Sequence, residues 1–260
     1  MATPFAGKRA LVTGAGKGIG RATVKALVEC GAEVIALSRT EADLHSLKQE
    51  VPSVKTECVD VSDLPAVEAV VKGAGPIHLL VNNAGVTQLL SVLDTTPDAY
   101  DRIMSVNLKA PVFLSQYVAR GMVERGDGGA IVNVSSVASS VALTDHLAYC
   151  TSKAGMDMAT KVMALELGPH KIRVNAVNPT VVMTDMGKMA WSDPVKSSNA
   201  MTQIPLGRFA GIYTDPTLSV HLAFGRRLPG KEALVTALCV GRLCFLVLSH
   251  SLPLNYYLTP

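Results

Sequence analysis

The feature that most constrains this chain lies near its start. The apolar run Ala10–Val12 leads into Thr13-Gly14-Ala15-Gly16-Lys17-Gly18-Ile19-Gly20. Ile19, Ala22, Val24, Ala26, Leu27 and Cys30 then recur at helical spacing. A strand that turns through glycines straight into a helix has few uses for so much backbone freedom. Glycines let the turn close tightly and let its backbone approach an anion, while the helix N-terminus offers free N–H groups and a positive dipole end. A plain surface loop would also tolerate glycines, but the strand–turn–helix context is the one that confirms a dinucleotide site. Gly14, Gly18, Ile19 and Gly20 are therefore candidate cofactor-binding residues, with Gly20 letting the helix sit close to the sheet.

The pattern continues beyond this turn. Strands are predicted at Glu33–Leu37, Ser53–Val59, Leu79–Val81, Ala130–Val134 and Lys171–Val177, and helices at Leu64–Lys72, Leu108–Glu124 and Tyr149–Leu167. Alternation of this kind implies an α/β fold, a single-domain Rossmann-type doubly wound parallel sheet with helices on both faces. With 260 residues and 48% apolar side chains, the chain has the material for one large core. A net charge of +3 without a basic block argues against nucleic acid as a partner. Five cysteines lack framework spacing, and the first residues lack an apolar secretory stretch, so reduced thiols in the cytoplasm are expected. No metal is expected.

The end of the second strand addresses which nicotinamide is bound. An acid there would hold the ribose hydroxyls, whereas an arginine suits a 2′-phosphate. The strand ends Ala36-Leu37-Ser38-Arg39-Thr40, and Lys17 adds a second cation within the turn, so NADP(H) is expected. The competing reading of Arg39 is a surface pair with Glu41, which would contribute little. Asp60, closing the third strand, is placed to accept from an adenine amino group; capping the next helix is the alternative, for which Ser62 and Asp63 also compete.

Catalytic chemistry is suggested by Tyr149-Cys150-Thr151-Ser152-Lys153. Tyr149 and Lys153, four apart, share one helix face. A nearby ammonium favours the phenolate and is expected to lower the tyrosine pKa toward the working range. Such a pair alone is common, so context decides. Asn133-Val134-Ser135-Ser136 is an apolar strand ending in two hydroxyls, at the sheet edge where ligands bind. Ser136 is a candidate to hold a substrate oxygen beside Tyr149, against the plainer reading that it satisfies a turn. Asn82-Asn83-Ala84-Gly85 ends another strand, placing Asn83 and Gly85 near the cofactor. Asn107 interrupts a helical pattern, either as an incidental surface residue or because it disturbs the helix to serve the site.

Together these motifs resemble the tyrosine-dependent short-chain dehydrogenase/reductase family, in order and at suitable spacing. The resemblance implies Tyr149 as acid/base, Lys153 as pKa modifier and nicotinamide-ribose ligand, Ser136 as substrate-oxygen donor, and Asn107 as anchor for a proton-relay water. A closer likeness runs through Ala164–Thr184, Trp191–Pro194 and Ile204–Ala210, to members that reduce L-xylulose and α-dicarbonyl compounds such as diacetyl with NADPH. It implies Val182 and Thr184 as cofactor ligands and a homotetramer. His146 and Trp191 are candidate pocket residues, with surface or core roles as the alternative. Val137 and Ala138 stand where a sugar-binding polar side chain is expected.

The resemblance covers residues 1–210, the dinucleotide-binding and catalytic domain. Residues 211–260 are a divergent C-terminal segment rather than a separate domain. Loss of the family's final strand is expected to leave a sheet edge uncovered. The apolar run Leu234–Leu248 is expected to form a substitute core helix, not a membrane span, being shorter than the ~20 residues a span requires. The alternative to a reductase is a catalytically silent cofactor-binding or interaction variant disabled by this segment.

Overall fold

The computed structural model describes residues 4–202, 204, 207–211, 236–240 and 243–249, the last two ranges as backbone. Its elements run β1 (Arg9–Thr13), α1 (Gly18–Glu29), β2 (Glu33–Ser38), α2 (Glu41–Glu50), β3 (Lys55–Cys58), α3 (Leu64–Gly73), β4 (Leu79–Asn82) and α4 (Pro97–Met104). A π-helical turn, Ser105–Lys109, leads into α5 (Ala110–Arg125), then β5 (Gly129–Val134) and α6 (Leu147–Leu167). β6 (Ile172–Pro179), α7 (Asp185–Ala190), α8 (Pro194–Thr202), β7 (Thr236–Val240) and β8 (Leu243–Ser249) follow.

Among the described residues the sheet order is β3-β2-β1-β4-β5-β6-β8-β7, with the first six strands parallel. Period-two alternation explains why both faces carry helices. Ala10 and Val12 of β1, with Val34 and Ala36 of β2, pack with Val24 and Leu27 of α1 and Leu44 and Leu47 of α2. Leu11 and Ile35, one residue out of phase, join Val67 of α3, Leu114 and Met122 of α5 and Ala164 of α6 on the other face. The chain runs outward from β1 to β3 and then returns to place β4 on the opposite side of β1. This reversal opens a crevice beyond the carboxyl ends of β1 and β4, the position where such sheets bind ligands.

Local chemistry sets the boundaries. Asp63 caps α3 through the N–H of Ala66 at 3.1 Å, and Thr96 caps α4 just before Pro97. Gly126 ends α5 in the left-handed conformation (φ 70°).

The C-terminal expectations need correction. Residues 236–240 and 243–249 are strands, not a core helix. Runs such as Leu243-Cys244-Phe245-Leu246-Val247-Leu248, with aromatic and β-branched members and Gly241 breaking the stretch before them, fit a pleated strand as well as they fit a helix. β8 lies antiparallel against β6, pairing Ala176 with Leu248 and Asn178 with Leu246, so β6 is not left as a free edge. Leu234 and Val235, also within the expected helix, fall outside the described residues. No helix among the described residues is long and apolar enough to cross a membrane.

Candidate active site

The glycine turn is held from two sides. Gly14 is left-handed (φ +60°), and a Cβ there would lie 2.8 Å from Ala84 Cα. A Cβ on Gly20 would lie 2.2 Å from the Gly14 carbonyl oxygen, so only glycine lets α1 start this close to β1. Directly after β4, the Asn83 amide donates to the carbonyls of Thr13 (2.9 Å) and Gly14 (3.1 Å). The Thr13 hydroxyl accepts in return from the N–H groups of Asn83 and Ala84, both at 3.0 Å. Asn83 thus spends its side chain on shaping the turn, while Gly85 stands deeper in the site. Gly18 is also left-handed, and the Thr184 methyl lies 2.9 Å from where its Cβ would be, so the loop after β6 closes over the turn. Lys17, the N-cap of α1, makes no side-chain cap, leaving the first amides of the helix to a ligand. A bare-backbone cradle at a helix N-terminus fits a pyrophosphate.

Cations flank this cradle. Lys17 Nζ lies 3.5 Å from Asp43 and Arg39 Nη1 lies 3.9 Å from Asp60, each cation more than half exposed. Such contacts are weak and leave both side chains able to turn to a phosphate. The acid that Arg39 meets is Asp60 and not Glu41. Asp60 Oδ1 accepts from the Ser62 N–H (2.9 Å) and hydroxyl (2.7 Å), while helix capping falls to Asp63. Burial works against its charge, but the Ser62 bonds and Arg39 outweigh it and hold its pKa below the ordinary carboxylate value.

Across the crevice, α6 carries Tyr149 and Lys153. Lys153 is buried, its Nζ donates to the Val134 carbonyl at 2.8 Å and it lies 5.7 Å from the Tyr149 ring centre. Desolvation brings the Lys153 pKa down to about 8, with Asp157 opposing the fall. Tyr149 departs from expectation in direction: burial of its hydroxyl end raises its pKa, and a hydrogen bond with Ser136 only partly opposes this. The turn reading of Ser136 also applies, since its hydroxyl accepts from the Ala138 N–H at 3.1 Å. Asn107 is fully buried in the π-helical turn. Its amide bridges the Val86 N–H (2.8 Å) and carbonyl (2.9 Å) and donates to Ser152 at 3.1 Å. An incidental surface role is thereby excluded. A Cβ built on Gly85 would stand 3.6 Å from Asn107 Oδ1 and 3.7 Å from Lys153 Nζ, so these three residues share one corner of the site.

His146 is buried at the start of α6, edge-on to Tyr149 with ring centres 6.0 Å apart, and its Nδ1 is 2.6 Å from the Thr144 carbonyl. Trp191, half-buried after α7, rests on Phe209 and lies under Lys196. Val182 bridges Ala210, anchoring the loop that bears Thr184. Val137 and Ala138 form a short 3-10 turn directly after Ser136, with Ala138 buried. Among the described residues no three His, Cys, Asp or Glu side chains gather as metal ligands.

Several supporting residues escaped the sequence reading. Ser115, Asn82, Asn133 and Thr160 form a buried hydrogen-bond chain across α5, β4, β5 and α6, with each link at 2.8 Å. Asn178, fully buried at the end of β6, is another. The available signal was an amide inside an otherwise apolar strand, since a buried amide persists only where partners await it.

Comparison with known proteins agrees with this geometry. Residues 8–194 match the short chain dehydrogenase family. The chain is 60% identical over 208 residues to an L-xylulose reductase of Bos taurus, covering 80% of this chain and 85% of that protein. It is 52% identical over 212 residues to carbonyl reductase [NADPH] 2 of Sus scrofa, covering 82% and 87%. Among solved structures, one provisionally named an NAD(P) dependent gluconate 5-dehydrogenase from Beutenbergia cavernae, with NADP bound at low occupancy, superposes with a TM-score of 0.81. That match has 28% identity and covers 86% of this chain and 92% of the other.

Proposed function

This chain belongs to the short chain dehydrogenase family, and from that premise we propose that it reduces small carbonyl compounds with NADPH, converting L-xylulose to xylitol and reducing α-dicarbonyls such as diacetyl. The observation that carries the reading is the arrangement of Ser136, Tyr149 and Lys153 at the carboxyl edge of the sheet, across from an uncapped helix N-terminus flanked by Lys17 and Arg39. The relatives named for L-xylulose and for NADPH-dependent carbonyl reduction support the substrate class.

When bound, NADPH supplies a hydride to the carbonyl carbon. The backbone amides of Gly18, Ile19 and Gly20 would hold its pyrophosphate, Lys17 and Arg39 would take a 2′-phosphate, and Asp60 would accept from the adenine amino group. Asn83 shapes the turn, and Gly85, Val182 and Thr184 would hold the nicotinamide half. Ser136 donates to the substrate oxygen and orients it toward Tyr149. Tyr149 then passes its phenolic proton to that oxygen, leaving an alcohol and a phenolate. Burial favours this direction, because it keeps the phenol protonated until the substrate takes the proton. The Lys153 ammonium stabilises the phenolate in this water-poor setting and, with a water anchored near Asn107, returns a proton to it. His146, packed against Tyr149, and Trp191 border the substrate. The same reading carries a cytoplasmic, homotetrameric enzyme.

The test is NADPH oxidation by the purified full-length chain, with diacetyl and L-xylulose offered separately. Turnover with either supports the reading, and their ratio ranks the substrates. Folded protein that binds NADPH but turns over neither would make the chain a silent cofactor-binding variant.

A further inference from the structure

Tyr149, Lys153 and residue 157 recur at four-residue intervals along one strip of α6. The third member is Asp157. Its Oδ2 accepts from the Asn178 amide at 2.8 Å. The same Asn178 nitrogen lies 3.1 Å from the Ser136 carbonyl and 3.0 Å from the Ser139 hydroxyl. A carboxylate on the catalytic helix is therefore linked, through one fully buried amide on β6, to the short turn that presents Ser136. The second oxygens, Asp157 Oδ1 and Asn178 Oδ1, are buried without a hydrogen-bond partner. A structural carboxylate would ordinarily be fully satisfied, since an unmet buried acceptor is costly. Asp157 also acts electrostatically on Lys153, as the charge that opposes its desolvation. The other groups facing the Lys153 ammonium are the Val134 carbonyl of β5, Asn107 of the π-helical turn and the Tyr149 ring. Of these only Tyr149 titrates, and it is neutral when protonated.

We propose that Asp157 is a positioning residue of this site, fixing the Ser136 turn through Asn178 and serving, one helical turn away, as the counter-charge of Lys153. The proposal rests on the reductase reading and assigns a residue that touches neither carbonyl nor cofactor. Its two roles separate by substitution. Asp157→Asn keeps an oxygen able to accept from Asn178 but removes the charge; Asp157→Ala removes both.

The experiment is a pH profile of kcat and KM for diacetyl reduction by wild type and both variants, with NADPH affinity and thermal unfolding measured alongside. Lys153 loses its proton above a pKa of about 8, so wild-type kcat falls as pH rises through that value. In Asp157→Asn the alkaline limb moves to lower pH by about one unit, because an opposite charge has been lost. KM at low pH stays near wild type. In Asp157→Ala the limb moves likewise and KM at low pH rises about tenfold, through loss of a charge-assisted hydrogen bond to the Ser136 support. Asp157→Glu, which restores the charge, returns the limb toward wild type. Folded variants whose pH profiles superimpose on wild type would overturn the proposal. A wild type without turnover refutes the reductase reading instead, and the proposal is then read without catalysis. In carbon-13 lysine-labelled protein, the Lys153 Cε resonance, identified by its loss in Lys153→Met, titrates at lower pH in Asp157→Asn. An unchanged midpoint there also overturns it.

Discussion

At the scale of single residues, the proposed site divides between the Tyr149 phenol and the groups that surround it. Tyr149→Phe removes the hydroxyl proposed to deliver the proton beside Ser136 while preserving ring packing against His146. The expected outcome is loss of turnover by about two to four orders of magnitude, the usual weight of general acid catalysis. NADPH affinity, read by fluorescence titration, stays near wild type. Activity close to wild type would remove Tyr149 from the mechanism. Arg39 makes a different kind of claim. Its contact with Asp60 is long and exposed, so Arg39→Asp costs the fold little. The variant places a carboxylate where a 2′-phosphate is expected, and the ratio of NADPH to NADH efficiency should fall at least tenfold. An unchanged ratio would mean that Lys17 alone, or another group, sets cofactor choice. The direction of the Tyr149 pKa shift shows where residue-level reading fell short. Spacing disclosed the ammonium four residues away, but not the burial around the phenol, which raises its pKa against the Ser136 hydrogen bond.

Among elements, those whose sequence pattern reports their own backbone were legible, and those that depend on remote partners were not. The β1 turn into α1 could be read because glycines at 14, 18 and 20 answer local geometric demands, now visible as left-handed φ values and as spaces too small for a Cβ. β2, β4 and β5 follow the same logic, with short apolar runs buried on both faces. The third strand was predicted too long at both ends, because Lys55–Cys58 is an exposed edge with little apolar signal. The π-helical turn at Ser105–Lys109 was visible only as an awkward asparagine; its cause, bonds from Asn107 to Val86 and Ser152, lies 21 and 45 residues away in sequence. The likeness to a family supplied the water-anchoring role expected of Asn107, which periodicity alone did not. Gly20→Ala tests the element-level account. The added Cβ collides with the Gly14 carbonyl and with the Asn83 amide at 2.4 Å, so α1 must move away from β1. Overpacking of this sort costs about 1–3 kcal/mol. Denaturant unfolding should register that loss, and NADPH binding should weaken because the helix N-terminus no longer meets the turn. Unaltered NADPH affinity would show that the cradle does not depend on this close approach.

For the molecule as a whole, the question is how the sheet closes beyond β6. Parallel pairing ends at β6, and β8 adds antiparallel to it, with β7 outside. That addition matters for the site, because β6 ends at Pro179 beside Asn178, whose amide supports the Ser136 turn. The register brings Leu246 opposite Asn178 and Phe245 opposite Pro179, so β8 runs along the carboxyl end of β6. Val247 stands in the middle of β8, opposite Val177 on one side and Thr236 on the other. In a strand flanked on both sides, every N–H is committed to one neighbour or the other. Val247→Pro removes that donor whichever way it faces, and leaves a partner carbonyl unmet at a cost of about 1–3 kcal/mol. For a domain of this size each kcal/mol moves the unfolding midpoint by roughly 2–4 °C. The variant should therefore unfold several degrees below wild type by circular dichroism. Carbonyl reduction should fall further than the folded fraction alone explains, since the loosened end of β6 carries Asn178. The opposite result, a wild-type midpoint with wild-type turnover, would mean that β6 needs no neighbour on that side to hold the catalytic groups in place.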